Sequence, residues 1–246
     1  IFSPGKPMPL SDVLPMLEKM GLRIISELPF EVEPARSNHP VWIHDFLMES
    51  AGNGVMLAID DIKQVFEEAF EKIWTQQMEN DGLNKLVVTA KMNWREISVL
   101  RTYLRYLRQV GLHYSREFIE ATLADNPKIS TSVVKLFLSL FDPSLKKGDN
   151  DIFAAGYAVE IDHALESVVS LEQDRVLRSL TAVVNATLRT NFFQMDKDGN
   201  PKTYISIKLD SKKIDDLPEP RPFREIWIYS PRVEGLHLRF GPIARG

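Results

Sequence analysis

There is no cysteine among the 246 residues, which excludes disulfide staples and thiolate metal sites and fits the cytosol. No apolar run approaches the roughly eighteen residues of a membrane span. The first ten residues lack a basic region followed by an apolar stretch, so no secretory leader is expected. The chain opens on Ile1 rather than Met, and its start reads as a cut edge. An excess of positive charge is also missing. The formal charge is −4 and the pI is near 5.8, which argues against nucleic acid or an anionic membrane as a general partner. No Gly-x-Ser-x-Gly, Walker loop or Gly-x-Gly-x-x-Gly occurs. A dinucleotide fold needs glycines at a strand-to-helix turn to receive the pyrophosphate, so these residues are not expected to bind a dinucleotide.

What is present is a chain with 44% hydrophobic residues, enough to bury a core and long enough for one or two domains. Leu10, Val13, Leu14, Leu17 and Met20 have helical spacing, and Gly21 stands where a helix usually ends. Strands are expected from Leu22 to Val32 and from Val41 to Met48. Helix, strand, strand is half of a ferredoxin-like plait. From Ile59 to about Phe193 nearly everything reads as helix. One segment opens at Asp60 and closes near Asp81-Gly82, and a second runs from Trp94 to Val110 and stops at Gly111. A third is capped by Ser115, and a fourth by Ser130 or Thr131, ending at Phe141 before Asp142-Pro143. Lys146–Asp151 reads as the clearest internal loop. One or two long helices follow to Phe193, with a break near Leu171. These amphipathic segments are expected to pack as a bundle. Tyr204–Leu209, Arg224–Tyr229 and Leu236–Phe240 alternate as strands do.

Few residues suggest chemistry of their own. Arg101, Arg105 and Arg108 fall at i, i+4 and i+7 with Arg95 nearby. Such a stripe is either a solvated or acid-paired face, or a contact for an anion, an acidic partner or another subunit. Asp196, Asp198 and Asn200 hint at a calcium loop. Pro201 and Ile207 occupy the positions where that loop needs glycine and glutamate, so a hairpin-like turn is expected. The five histidines, His39, His44, His113, His163 and His237, show no metal-ligand spacing. His163 reads as surface, and His237, on an alternating strand, as a surface or packed residue or one that faces a pocket.

The last residues are the most telling. Two alternating runs deliver the chain into Gly241-Pro242-Ile243-Ala244-Arg245-Gly246, a turn whose small residues let a ligand approach the backbone. This segment resembles the start of the catalytic region of the large NAD-dependent glutamate dehydrogenases of bacteria. The resemblance extends through Leu180–Phe193, Lys202–Leu209 and Met92–Tyr106, and covers nearly the whole chain. It implies an α+β, mostly helical fold: an ACT-like α/β unit at 1–55, a helical connector at 56–195, and a β segment at 196–246 opening a substrate domain. It also implies a piece of a longer enzyme that converts L-glutamate, NAD and water to 2-oxoglutarate, ammonia and NADH. The catalytic lysine and dinucleotide domain would lie beyond residue 246, leaving these residues inactive alone. Gly241, Pro242, Arg245 and Gly246 are then the expected substrate-binding residues, with no catalytic, cofactor or metal residue in the chain. Related dehydrogenases place a lysine where Arg245 stands, near the substrate's distal carboxylate. Arg245 is therefore either a carboxylate fork or a structural ion pair. A homo-oligomer is expected. The alternative is a non-catalytic regulatory or assembly module whose ACT-like start senses an amino acid.

Overall fold

A computed structural model describes residues 1–35, 39–51 and 59–242. The N-terminal elements are β1 (Phe2–Pro4), α1 (Leu10–Lys19), β2 (Leu22–Val32) and β3 (Val41–Ser50). A helical block follows: α2 (Ile59–Trp74), α3 (Leu86–Thr89), α4 (Trp94–Gln109), α5 (Arg116–Asp125), α6 (Pro127–Phe141), α7 (Lys147–Leu165) and α8 (Leu171–Asn185). The chain closes with β4 (Thr187–Thr190), β5 (Ile205–Leu209), β6 (Arg224–Tyr229) and β7 (Glu234–Arg239). The α+β, mostly helical expectation holds.

The first sheet is antiparallel in the order β1-β3-β2. Its strands and α1 match the expected half-plait, with β1 as an added edge too short to show periodicity. One face rests on α1, where Val13, Leu17 and Leu22 form a small core with Ile62 of α2 and Val88 of α3. His44 is buried there, with Nδ1 2.7 Å from Glu27 Oε1 and Nε2 accepting the Met8 N–H at 3.1 Å. The backbone donor at Nε2 requires the Nδ1–H tautomer, so the imidazole ties β3 to the loop before α1. Leu28, Phe30, Val32 and Leu47 on the opposite face are exposed.

Gly21 and Gly111 end α1 and α4 in the left-handed region, at φ +87° and +101°, where a residue with a Cβ is strained. Ser115 Oγ accepts the Phe118 N–H at 3.1 Å and caps α5. Other boundaries differ from the expected ones. Helix α2 stops at Trp74, well before Asp81-Gly82, because Gln76 turns left-handed at φ +58°. Helix α6 begins at Pro127 rather than beyond Ser130 or Thr131. A proline is favourable in the first turn, and the buried Ser130 hydroxyl donates to the Leu123 carbonyl instead. The expected loop at Lys146–Asp151 is the first turn of α7, where Asp149 suits the positive end of the helix dipole. The helix expected through Phe193 ends at Asn185, and Thr187–Thr190 pairs with β5 as a strand. Threonine tolerates either conformation, and the available sheet edge decides.

The second sheet runs antiparallel in the order β4-β5-β6-β7. Its inward residues Ile205, Ile207, Leu209, Trp227 and Tyr229 join the main hydrophobic core with α4 and α8. Among the described residues no helix is long and apolar enough to cross a membrane.

Candidate functional site

Strand β6 leads through β7 to the Gly241-Pro242 turn, and its inward side chains are all anchored. Glu225, Trp227 and Tyr229 alternate along β6 and are buried. The Tyr106 hydroxyl of α4 donates to Glu225 Oε2. The Trp227 indole N–H donates to the Thr102 carbonyl of α4 at 3.0 Å. The Tyr229 hydroxyl donates to Glu79 Oε1 at 2.7 Å. One strand is thus pinned to the helical block at three successive inward positions.

The third anchor joins a buried ion network. Arg101 is 1% exposed, and its Nε and Nη2 grip Asp81 Oδ2 and Oδ1 at 2.6 and 2.7 Å. Arg116 reaches Glu79 at 2.8 Å and Asp81 at 2.9 Å, and pairs with Glu120. Arg105 reaches Glu79 at 2.6 Å. Three guanidinium groups therefore face three carboxylates, and a balanced, hydrogen-bonded set can withstand burial. Burial alone would push the Glu79 carboxyl up, but the Tyr229 hydroxyl, Arg101 and Arg105 hold it below its ordinary value. Asp81 is likewise held low by Arg101 and Arg116 against its burial. Glu225 has only a hydroxyl partner, and burial pushes it up.

The arginine stripe thus resolves unequally: Arg101 and Arg105 are acid-paired, and Arg108 is exposed. Arg95 donates to the Lys202 and Phe192 carbonyls, both at 2.9 Å, and fastens the β4–β5 connection to α4. Asp196 accepts the backbone N–H groups of Asp198 and Asn200 at 2.9 Å each, which makes the expected turn. His163 and His237 are exposed. Of the expected substrate residues, Gly241 is half-buried and Pro242 is exposed. Arg239 Nη2 donates to the Pro242 carbonyl at 3.2 Å. Arg245 and Gly246 lie outside the described residues. The partners of Arg101 were not legible beforehand, because Glu79 and Asp81 sit in an irregular segment with no periodicity to give them a face.

Similarity to known proteins accounts for this organisation. The family model for the ACT3 domain of glutamate dehydrogenase matches residues 1–62, and that for helical motif 3 matches 78–143. The model for the bacterial NAD-glutamate dehydrogenase catalytic domain matches 160–246. Three glutamate dehydrogenase family models thus match successive stretches of this chain. It is 42% identical to the NAD-specific glutamate dehydrogenase of Halomonas elongata, 40% to that of Pseudomonas aeruginosa and 41% to that of Mycobacterium tuberculosis. Each similarity covers the whole of this chain, which spans 15% of the length of those relatives. Strands β6 and β7 lie within the catalytic-domain match, and the three residues that anchor β6, Glu79, Thr102 and Tyr106, lie within the helical-motif match.

Proposed function

We propose that the chain is part of an NAD-dependent glutamate dehydrogenase that oxidises L-glutamate to 2-oxoglutarate and ammonia. The observation carrying this reading is 40–42% identity along the entire chain to enzymes of that name, joined to the catalytic-domain match over 160–246. The division into units at 1–55, 56–195 and 196–246 belongs to the same reading. Gly241, Pro242, Arg245 and Gly246 are its substrate-binding residues. The small residues let glutamate approach the backbone, and the Arg245 guanidinium suits a carboxylate. The three anchors of β6 support this role, because a site must be held to within about 0.5 Å by its surroundings.

Both sheets among the described residues are antiparallel. The sequence holds no Gly-x-Gly-x-x-Gly, the fingerprint of a dinucleotide site, and we assign no residue to NAD. In this reading another part of the enzyme holds NAD and the catalytic lysine, and the protein works in the cytoplasm as a homo-oligomer.

The test is glutamate-dependent NADH formation by the whole protein, with the 246-residue chain assayed beside it. Activity is expected in the whole protein and not in the chain. Arg245→Met in the whole protein should raise KM for glutamate about tenfold, the loss of one charge-assisted contact. Failure of the whole protein in both directions of the reaction would refute the reading. A second reading, a regulatory or assembly module, is favoured by the ACT3 match over 1–62. It predicts saturable amino-acid binding or concentration-dependent self-association, and calorimetry with sedimentation showing neither would refute it.

A further inference from the structure

The β4–β5 connection and the β6–β7 turn leave the second sheet at the same end, since Ile205 and Glu234 both pair with Tyr229. There they meet the C-terminal end of α2 and the first residue of α4 around a cavity of about 580 Å³. The Gly241-Pro242 turn lies at the other end, after Arg239, which pairs with Arg224. Five residue steps of β6 separate the two ends by roughly 17 Å. The cavity is therefore distinct from Gly241-Pro242, the described part of the expected substrate turn.

Its charge is opposite to that of the chain. Lys72 and Arg232 line it, and Arg95 lies beside it against Trp94. None of the three meets a carboxylate among the described residues. Lys72 Nζ reaches Gln77 Oε1 at 3.0 Å and sits 5.3 Å from the Trp94 ring centroid. Arg95 has only carbonyls and aromatic faces, and burial lowers its guanidinium to about 10. The Arg232 side chain is exposed, with no ion-pair partner among the described residues. Among the described residues the one acid in the lining, Asp196, has Oδ1 committed to two backbone N–H groups. Glu68 accepts the Trp94 indole N–H at 2.7 Å. Lys72 is half-buried beside the Trp94 ring, which strengthens its charge relative to a fully solvated lysine.

Neutral donors complete the lining. Thr203, Gln76, Gln77 and Ser230 also line it, the Ser230 hydroxyl donating to the Val233 carbonyl at 3.2 Å. Gln76 takes the left-handed position at the end of α2, where glycine is usual, and so keeps an amide at the rim that glycine would not supply.

We propose that this cavity binds a small multivalent oxyanion, carboxylate or phosphate, through Lys72 and Arg232. Binding there links α2, which begins within the ACT3 match, to two loops of the catalytic-domain match. The proposal stands whether or not the dehydrogenase reading does.

Calorimetry of the 246-residue chain at low ionic strength tests it, with citrate and inorganic pyrophosphate as probes and sodium chloride of equal ionic strength as control. Saturable binding of one equivalent of at least one probe is expected. A preference for citrate assigns a carboxylate ligand, and a preference for pyrophosphate a phosphate one. Arg232→Ala, in an exposed turn, should weaken binding about tenfold, as should Lys72→Met. Arg232→Lys should recover most of the affinity. Should Lys72→Met unfold α2, Arg232→Ala decides alone. No saturable heat with either probe, or unchanged affinity in Arg232→Ala, overturns the proposal.

Discussion

Replacing Asp81 with alanine should remove a large part of this protein's stability. Its carboxylate accepts two hydrogen bonds from Arg101 at 2.6 and 2.7 Å and one from Arg116 at 2.9 Å. It also accepts the Leu83 N–H at 3.1 Å, capping the short 3-10 turn that leads to α3. Without it, Arg101 keeps one direct partner, Asn84 Oδ1 at 2.9 Å, while remaining buried. Removing one side of a buried pair costs about 3–5 kcal/mol, and losing a cap costs about 1 kcal/mol. Against a typical total of about 5–15 kcal/mol, the variant stands near the edge of folding. Asp81→Asn keeps the cap and one acceptor but turns the other oxygen into an amide donor facing Arg101 and Arg116, so it should lose less than Asp81→Ala yet still more than about 1 kcal/mol. The double variant Asp81→Ala/Arg101→Met should be more stable than Asp81→Ala, because no uncompensated charge is left inside. Urea unfolding followed by circular dichroism measures all three. A loss below about 1 kcal/mol for Asp81→Ala, the range of an exposed pair, would refute the account of a dry, balanced network.

Acid should reveal the same network. Glu79 and Asp81 are both held below their ordinary values of 4.5 and 3.8, so they contribute fully above those values and lose the contribution as pH falls through the lower folded ones. Glu225 has the opposite sign. Burial raises it, so its contribution is full below 4.5 and is lost as pH rises through the folded value. Glu225→Gln should therefore add about 1 kcal/mol at neutral pH and change little in acid, and unfolding curves at the two pH values would show a constant difference if this is wrong. Gly82→Ala would place a Cβ 3.0 Å from Glu120 Oε2 and 3.3 Å from its Cβ. A loss of about 1–3 kcal/mol is expected, and thermal unfolding unchanged from the parent would contradict it. Trp227→Phe deletes the bond to the Thr102 carbonyl and should cost about 1 kcal/mol or more, read from the same urea titration.

Local order was written in the chain. The spacing of Leu10 to Met20, the glycines at 21 and 111, and the Ser115 cap set α1, α4 and α5 through interactions within a few residues of each element. The alternation from Arg224 to Tyr229 likewise identified β6, and with it the inward set of Glu225, Trp227 and Tyr229. The approach to the Gly241-Pro242 turn was therefore legible, and so was the similarity to NAD-specific glutamate dehydrogenases. What tertiary structure alone decided is who meets whom. Thr187–Thr190 became a strand because the edge of β5 was there to pair with it, not because its residues exclude a helix. Arg101 lay on the same helical stripe as Arg105 and Arg108, and only packing against Asp81 made it one of the most buried side chains in the protein. Glu79 and Tyr229 are 150 positions apart, and Lys72 and Arg232 are farther still. Periodicity carries information over a turn or two of helix, whereas a charge network or a cavity forms where distant segments close on one another.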